Sequence, residues 1–138
     1  MRAIAIDTGP LVALFDGADK HHRAALQFVQ RASGLFVTNI AVLTETAVML
    51  DFSSTLPSEF LDWAAKVLVI DQHTDTDLTR IAAIMRKYSD LPADFADAAL
   101  LAMCERREIT EIATVDRDFN VYRISKRGAL KNVFFGET

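Results

Sequence analysis

The chain has 138 residues, 51% of them hydrophobic and 25% charged, with a formal net charge of −4, a composition that suits one globular domain with a sizeable core. The negative balance excludes nucleic-acid binding by bulk electrostatics, so any such binding must come from a local basic patch. A lone cysteine, Cys104, excludes an intrachain disulfide, and no stretch reads as a signal peptide or membrane span, so a soluble cytoplasmic protein is expected.

Ala3 to Ile6 is a short apolar run that predicts the first strand, and the apolar stretch after Pro10 predicts a helix, with Asp7 at the junction. Helical periodicity runs from Lys20 to Ala32, a strand is predicted over Leu35 to Thr38, and a helix over Ile40 to Leu50. A helix over Ser58 to Ala65, a strand over Val67 to Ile70 and helices over Asp75 to Tyr88 and Asp94 to Arg107 follow. The remainder predicts a strand within Ile109 to Val115, a short helix near Arg117 to Tyr122 and a last strand over Asn132 to Phe135. Strands alternating with helices, with no repeat and no linker, imply one α/β domain over residues 1–138 with right-handed crossovers and a mainly parallel sheet covered on both faces.

Ligands of such sheets bind at the carboxyl ends of the strands, where Asp7 falls. Asp7 is equally placed to cap the helix that follows, or to make an Asx turn with Thr8 and Gly9. Glu45 is the only charged residue between Arg31 and Asp51; on so apolar a helix it must be paired, coordinated or led to water along a stripe with Thr44 and Thr46. In SDLPADFADAALLAMCERRE, Asp94 after Pro92 looks like an N-cap and Asp97 lies in the first turn, where the helix dipole favours anions. In EIATVDRDF, Asp116 ends a strand and also suits a cap, with Asp118 two residues on. Each acid alone has a capping or surface explanation, but in a doubly wound sheet Asp7, Glu45, Asp97 and Asp116 can face one crevice. Such a cluster needs a cation or raised pKa values, and oxygen donors suit Mg²⁺ or Mn²⁺, whereas the histidines and lone cysteine show no zinc-site spacing.

Asp7 in IDTGPLVALF, Glu45 in TETAVML, Asp97 in DFADAALLA and Asp116 in TVDRDF together resemble the PIN-domain ribonucleases, particularly the VapC-like toxins of type II toxin–antitoxin systems. The resemblance spans nearly the whole chain. It implies a PIN-like α/β/α sandwich with a five-stranded parallel sheet, and a Mg²⁺- or Mn²⁺-dependent endoribonuclease whose catalytic and metal-binding residues are Asp7, Glu45, Asp97 and Asp116. Asp94 could bind metal beside or instead of Asp97, and Thr8, Thr114 and Asp118 would support the site. Cleavage would proceed through metal-activated water, and EDTA should stop it. The resemblance also implies a homodimer and a cognate antitoxin that blocks the site, with no membrane partner.

RNA needs positive charge. Lys20, Arg23, Arg80, Arg86 and Lys87 are candidates, and the span from Arg117 to Lys131 carries five basic residues against Asp118 alone. His21 and His22 could touch phosphate or simply begin a solvated helix. The segments PLVALF and AALQFV could pack together and leave a groove for an amphipathic antitoxin segment, or serve only as core. The alternatives are a solitary PIN nuclease in RNA processing, a receiver-like phosphoacceptor using Asp71 at the end of VLVID, a haloacid-dehalogenase-like phosphatase and a non-catalytic binding domain. Gly9, where the phosphatase would need a second aspartate, and Asp116, where the receiver would need a lysine, weaken two of these.

Overall fold

The computed structural model describes residues 2–91, 93–123 and 128–136. Five strands form one sheet: β1 (Ala3–Ile6), β2 (Leu35–Asn39), β3 (Val69–Asp71), β4 (Glu111–Ala113) and β5 (Lys131–Asn132). Their order is β3-β2-β1-β4-β5 and every pairing is parallel. The six described helices are α1 (Thr8–Phe15), α2 (His22–Arg31), α3 (Ile40–Met49), α4 (Leu56–Val67), α5 (Leu78–Lys87) and α6 (Phe95–Arg107). Ile4, Ala5 and Ile6 are buried in succession, as are Phe36, Val37 and Thr38. Since successive strand residues point to opposite faces, both faces of the central strands are covered.

The chain runs outward from β1 to β2 and β3, then returns across the sheet to β4 and β5, so the order reverses between β1 and β4. Register there pairs Ala5 with Ile112 and Ile6 with Ala113, and the Asp7 amide donates to the Ala113 carbonyl at 3.0 Å. Residues 7 and 114 therefore leave the sheet side by side, at the switch point where α/β sheets bind ligands. α1 packs on α2 and α3, α3 on α4 and α6, and α6 on α5.

Several element boundaries differ from the sequence expectation. α1 starts at Thr8 rather than after Pro10, because first-turn residues need no intrahelical N–H partner and proline is tolerated there. The helix expected from Asp75 begins as a 3₁₀ turn, Thr74–Asp77, in which the His73 carbonyl accepts from the Thr76 amide and hydroxyl. The short helix after Asp116 is likewise a 3₁₀ turn, Arg117–Asn120. β5 closes at Asn132 instead of running to Phe135. The Asn132 side-chain amide substitutes for a strand neighbour, donating to the Thr114 carbonyl at 3.0 Å and accepting from the Thr114 and Phe134 amides.

Candidate active site

Asp7 is only 4% exposed. Its carboxylate makes no capping hydrogen bond to α1; Oδ2 instead accepts the Thr114 hydroxyl at 2.8 Å, and that same hydroxyl accepts the Asp116 amide at 2.9 Å. One threonine thus holds the first acid and orients the last. Asp116 does act as a cap, its Oδ1 accepting the Asp118 amide at 2.9 Å. Gly9 lets this happen at close quarters, since a Cβ there would collide with the Val115 side chain, between Thr114 and Asp116.

Asp94 and Asp97 form a reciprocal capping box at the start of α6, with amide-to-carboxylate distances of 2.9 and 3.3 Å. The capping explanation therefore holds for this pair, yet it leaves Asp97 half-buried beside the other acids. Glu45, half-buried on α3, lines a cleft of about 320 Å³ with Asp94 and Phe95.

The electrostatics show which acids sense one another. Burial raises Asp7 to about 6, opposed by the Thr8 amide and Thr114 hydroxyl and reinforced by the charges of Asp116 and Glu45. Burial, then Asp7 and Asp94, push Asp97 up to about 8. Glu45 is raised by burial and by Asp94. The Thr8 hydroxyl acts on Glu45 in the opposite sense, but makes no hydrogen bond of regular geometry and is buried without a partner among the described residues. Cys104 is a buried thiol pushed up to about 12 by desolvation and by the Asp7 charge, so it is inert.

The side chains that act on Asp7, those of Thr114, Asp116 and Glu45, offer hydroxyl and carboxylate oxygens, the chemistry of a hard divalent cation. Among the described residues, no group of three or more acid, histidine or cysteine side chains is gathered tightly enough to hold a metal ion in this arrangement. The donor set fits such an ion in kind, and a cation there would offset both the burial and the neighbouring charges that raise Asp7 and Asp97.

Sequence reasoning passed over three residues here. Asn132 fixes the Thr114 backbone from β5, and nothing near it in sequence marks that role. Tyr122 is buried against Tyr88 and Phe119, ring centroids 4.9 and 5.1 Å away, and its hydroxyl has no partner among the described residues. Burial and then Asp97, Asp116, Asp118 and Asp94 raise that phenol, which sets it beside the acids. Phe135, 58% exposed, shares a cleft of about 570 Å³ with Lys20, His21, Val115, Asp116, Arg117 and Asn132.

The basic candidates separate. Arg80 is bound to Glu105 at 2.9 and 3.0 Å, and the His22 ring bonds the Ala13 carbonyl at 2.7 Å. His21 instead lies against Phe135, centroids 5.4 Å apart. Lys126 and Arg127 fall outside the described residues, as does Pro92. Asp71, the receiver-like candidate, is clamped on the edge strand by Arg106 at 3.0 and 2.7 Å and by Arg107 at 2.7 Å. Against the opposing effect of burial, these two guanidinium groups hold its carboxylate well below the usual range, and a carboxylate so occupied is no free phosphoacceptor.

A family model described as PIN domain matches residues 4–124. Ribonuclease VapC26 of Mycobacterium tuberculosis (strain ATCC 25618 / H37Rv) is 25% identical over 115 residues, spanning 81% of this chain and 85% of that protein. The crystal structure of Mycobacterium tuberculosis VapC20, described as a sarcin-ricin loop cleaving toxin, has the same fold. Its TM-score is 0.81 at 19% identity, over 91% of this chain and 98% of that one.

Proposed function

The chain belongs to the PIN-domain family, and on that premise we propose that it is a divalent-metal-dependent endoribonuclease, the toxin of a toxin–antitoxin pair, with residues 1–138 as one nuclease domain. The observation that carries this reading is the buried Asp7 carboxylate, held by Thr114 at the switch point of the sheet and sensing Glu45, Asp97 and Asp116. These four are the proposed catalytic and metal-holding residues, with Asp94 beside Asp97 and with Thr8, Thr114 and Asp118 in support. A bound Mg²⁺ or Mn²⁺ supplies charge neutralisation and a more acidic water at such a site.

The protein's own contribution is positional. Thr114 fixes one oxygen of Asp7, the capping box aims Asp97 from the rim of α6, and the Asp118 amide fixes one oxygen of Asp116. VapC26 carries the name ribonuclease and VapC20 is described as a toxin; an RNA substrate and a cognate antitoxin are the corresponding proposals here. Ile40, Val48 and Leu61, exposed on α3 and α4 around one groove, support a homodimer. Among the described residues no helix is long and apolar enough to cross a membrane.

Purified protein free of antitoxin is to be incubated with single-stranded and structured RNAs in Mn²⁺ or Mg²⁺. Cleavage is expected to stop with EDTA and to fall in Asp7→Asn by at least about a hundredfold, the upper end of losses for residues that merely orient a ligand. Cleavage that survives both treatments overturns the reading.

A further inference from the structure

The cleft beside Asp116 combines features that the acidic centre lacks. Lys20 comes from the turn before α2, Arg117 from the 3₁₀ turn after β4, and Phe135 from the segment after β5. Neither Lys20 nor Arg117 makes an ion pair among the described residues, so both charges are available. Phe135 is exposed but not loose: its ring is held edge-to-face by Phe134 at 4.8 Å and by His21 at 5.4 Å. An exposed aromatic held in place by its neighbours loses little freedom on contact, which makes it a stacking platform. The volume, about 570 Å³, lies within the range of roughly 300–1,000 Å³ that accommodates small organic ligands.

We propose that this cleft is a nucleotide subsite, in which Phe135 stacks an unpaired RNA base next to the scissile phosphate while Lys20 and Arg117 pair with the flanking phosphates. Asp116 joins the two sites: it lines this cleft, and its amide bonds the Thr114 hydroxyl that holds Asp7. The net negative charge of the chain makes these two unpaired cations the local counterweight that an acidic centre needs in order to hold RNA. Stacking accepts any base, so the subsite selects unpaired nucleotides rather than a sequence. The inference rests on the ribonuclease reading for the position of the scissile phosphate.

The test uses Asp7→Asn protein, to prevent turnover, and a single-stranded RNA octamer with 2-aminopurine at each position in turn. Emission is expected to be quenched on binding, and Phe135→Ala is expected to abolish the quenching and weaken binding about tenfold. Phe135→Tyr should restore both. Lys20→Ala should flatten the dependence of log Kd on log salt by about 0.7, the value of one phosphate contact on a single strand. Unchanged quenching and affinity in Phe135→Ala overturn the subsite. Wild-type cleavage assayed alongside separates the two ideas: cleavage with unchanged quenching sinks the subsite alone. The expected quenching pattern without any cleavage sinks the nuclease reading and leaves an RNA-binding cleft.

Discussion

Asp7 and Asp97 are acids that the folded chain holds partly protonated near neutral pH, at about 6 and about 8. Both values lie above the ordinary 3.8, so the native state binds these protons more tightly than the unfolded chain does. The stability these two acids contribute is fully present below about pH 4 and is lost as pH rises toward 8. For buried Asp7 the loss is on the order of 3 kcal/mol, at about 1.4 kcal/mol per pKa unit; half-exposed Asp97 adds less than its shift implies, because solvent screens it. Urea denaturation of the metal-free protein at a series of pH values should show this decline. Asp97→Asn, which keeps a capping acceptor, should flatten it and stabilise the protein at pH 8 by about 1 kcal/mol. A variant with an unchanged pH profile removes Asp97 from the acid cluster. These acids were legible in sequence because Asp7 follows one apolar run and Asp97 precedes another. Asn132 and Phe135 were not, since their importance arises from contacts with Thr114 and His21, far away along the chain.

At the scale of elements, the alternation of strands and helices was readable from hydrophobic period alone, and the five strands and six helices overlap the predicted segments, β5 by Asn132 alone. The ends were less readable, because side chains set them: the Asn132 amide closes β5, and the Thr114 hydroxyl turns the chain out of β4. The approach of α1 to the end of β4 depends on Gly9, and its cost can be measured. Gly9→Ala puts a methyl group into the Val115 side chain, so that side chain or the backbone beside it must give way. We expect a loss of about 1–3 kcal/mol in stability. A fall in cleavage rate that outlasts the stability loss at low temperature should accompany it, because Thr114 and Asp116 flank the displaced residue. Wild-type denaturation and cleavage in Gly9→Ala show that the contact is not restrictive.

Across the whole molecule, charge and apolar surface are distributed unevenly. The far edge of the sheet is locked by Arg106 and Arg107 on Asp71, with Arg106 also reaching Asp77 at 2.9 Å, so that edge is stabilised internally. The apolar groove of α3 and α4 has no such internal partner among the described residues, with Ile40 58% and Val48 61% exposed. Sedimentation of the wild-type protein at micromolar concentration should give a dimer, and the Val48→Glu, Leu61→Glu double variant a monomer, since charges at exposed positions cost the free subunit little. A monomeric wild type excludes the proposed homodimer. The bond between Thr114 and Asp7 spans 107 positions of sequence, and this has a meaning in time as well as in space. A ribosome delivers the acid first and its threonine 107 residues later. At roughly 5–20 residues per second, on the order of 5–20 s separates the two. Throughout that interval Asp7 lacks the hydroxyl that holds it, so the acidic centre is assembled only after Thr114 and Asp116 have followed it.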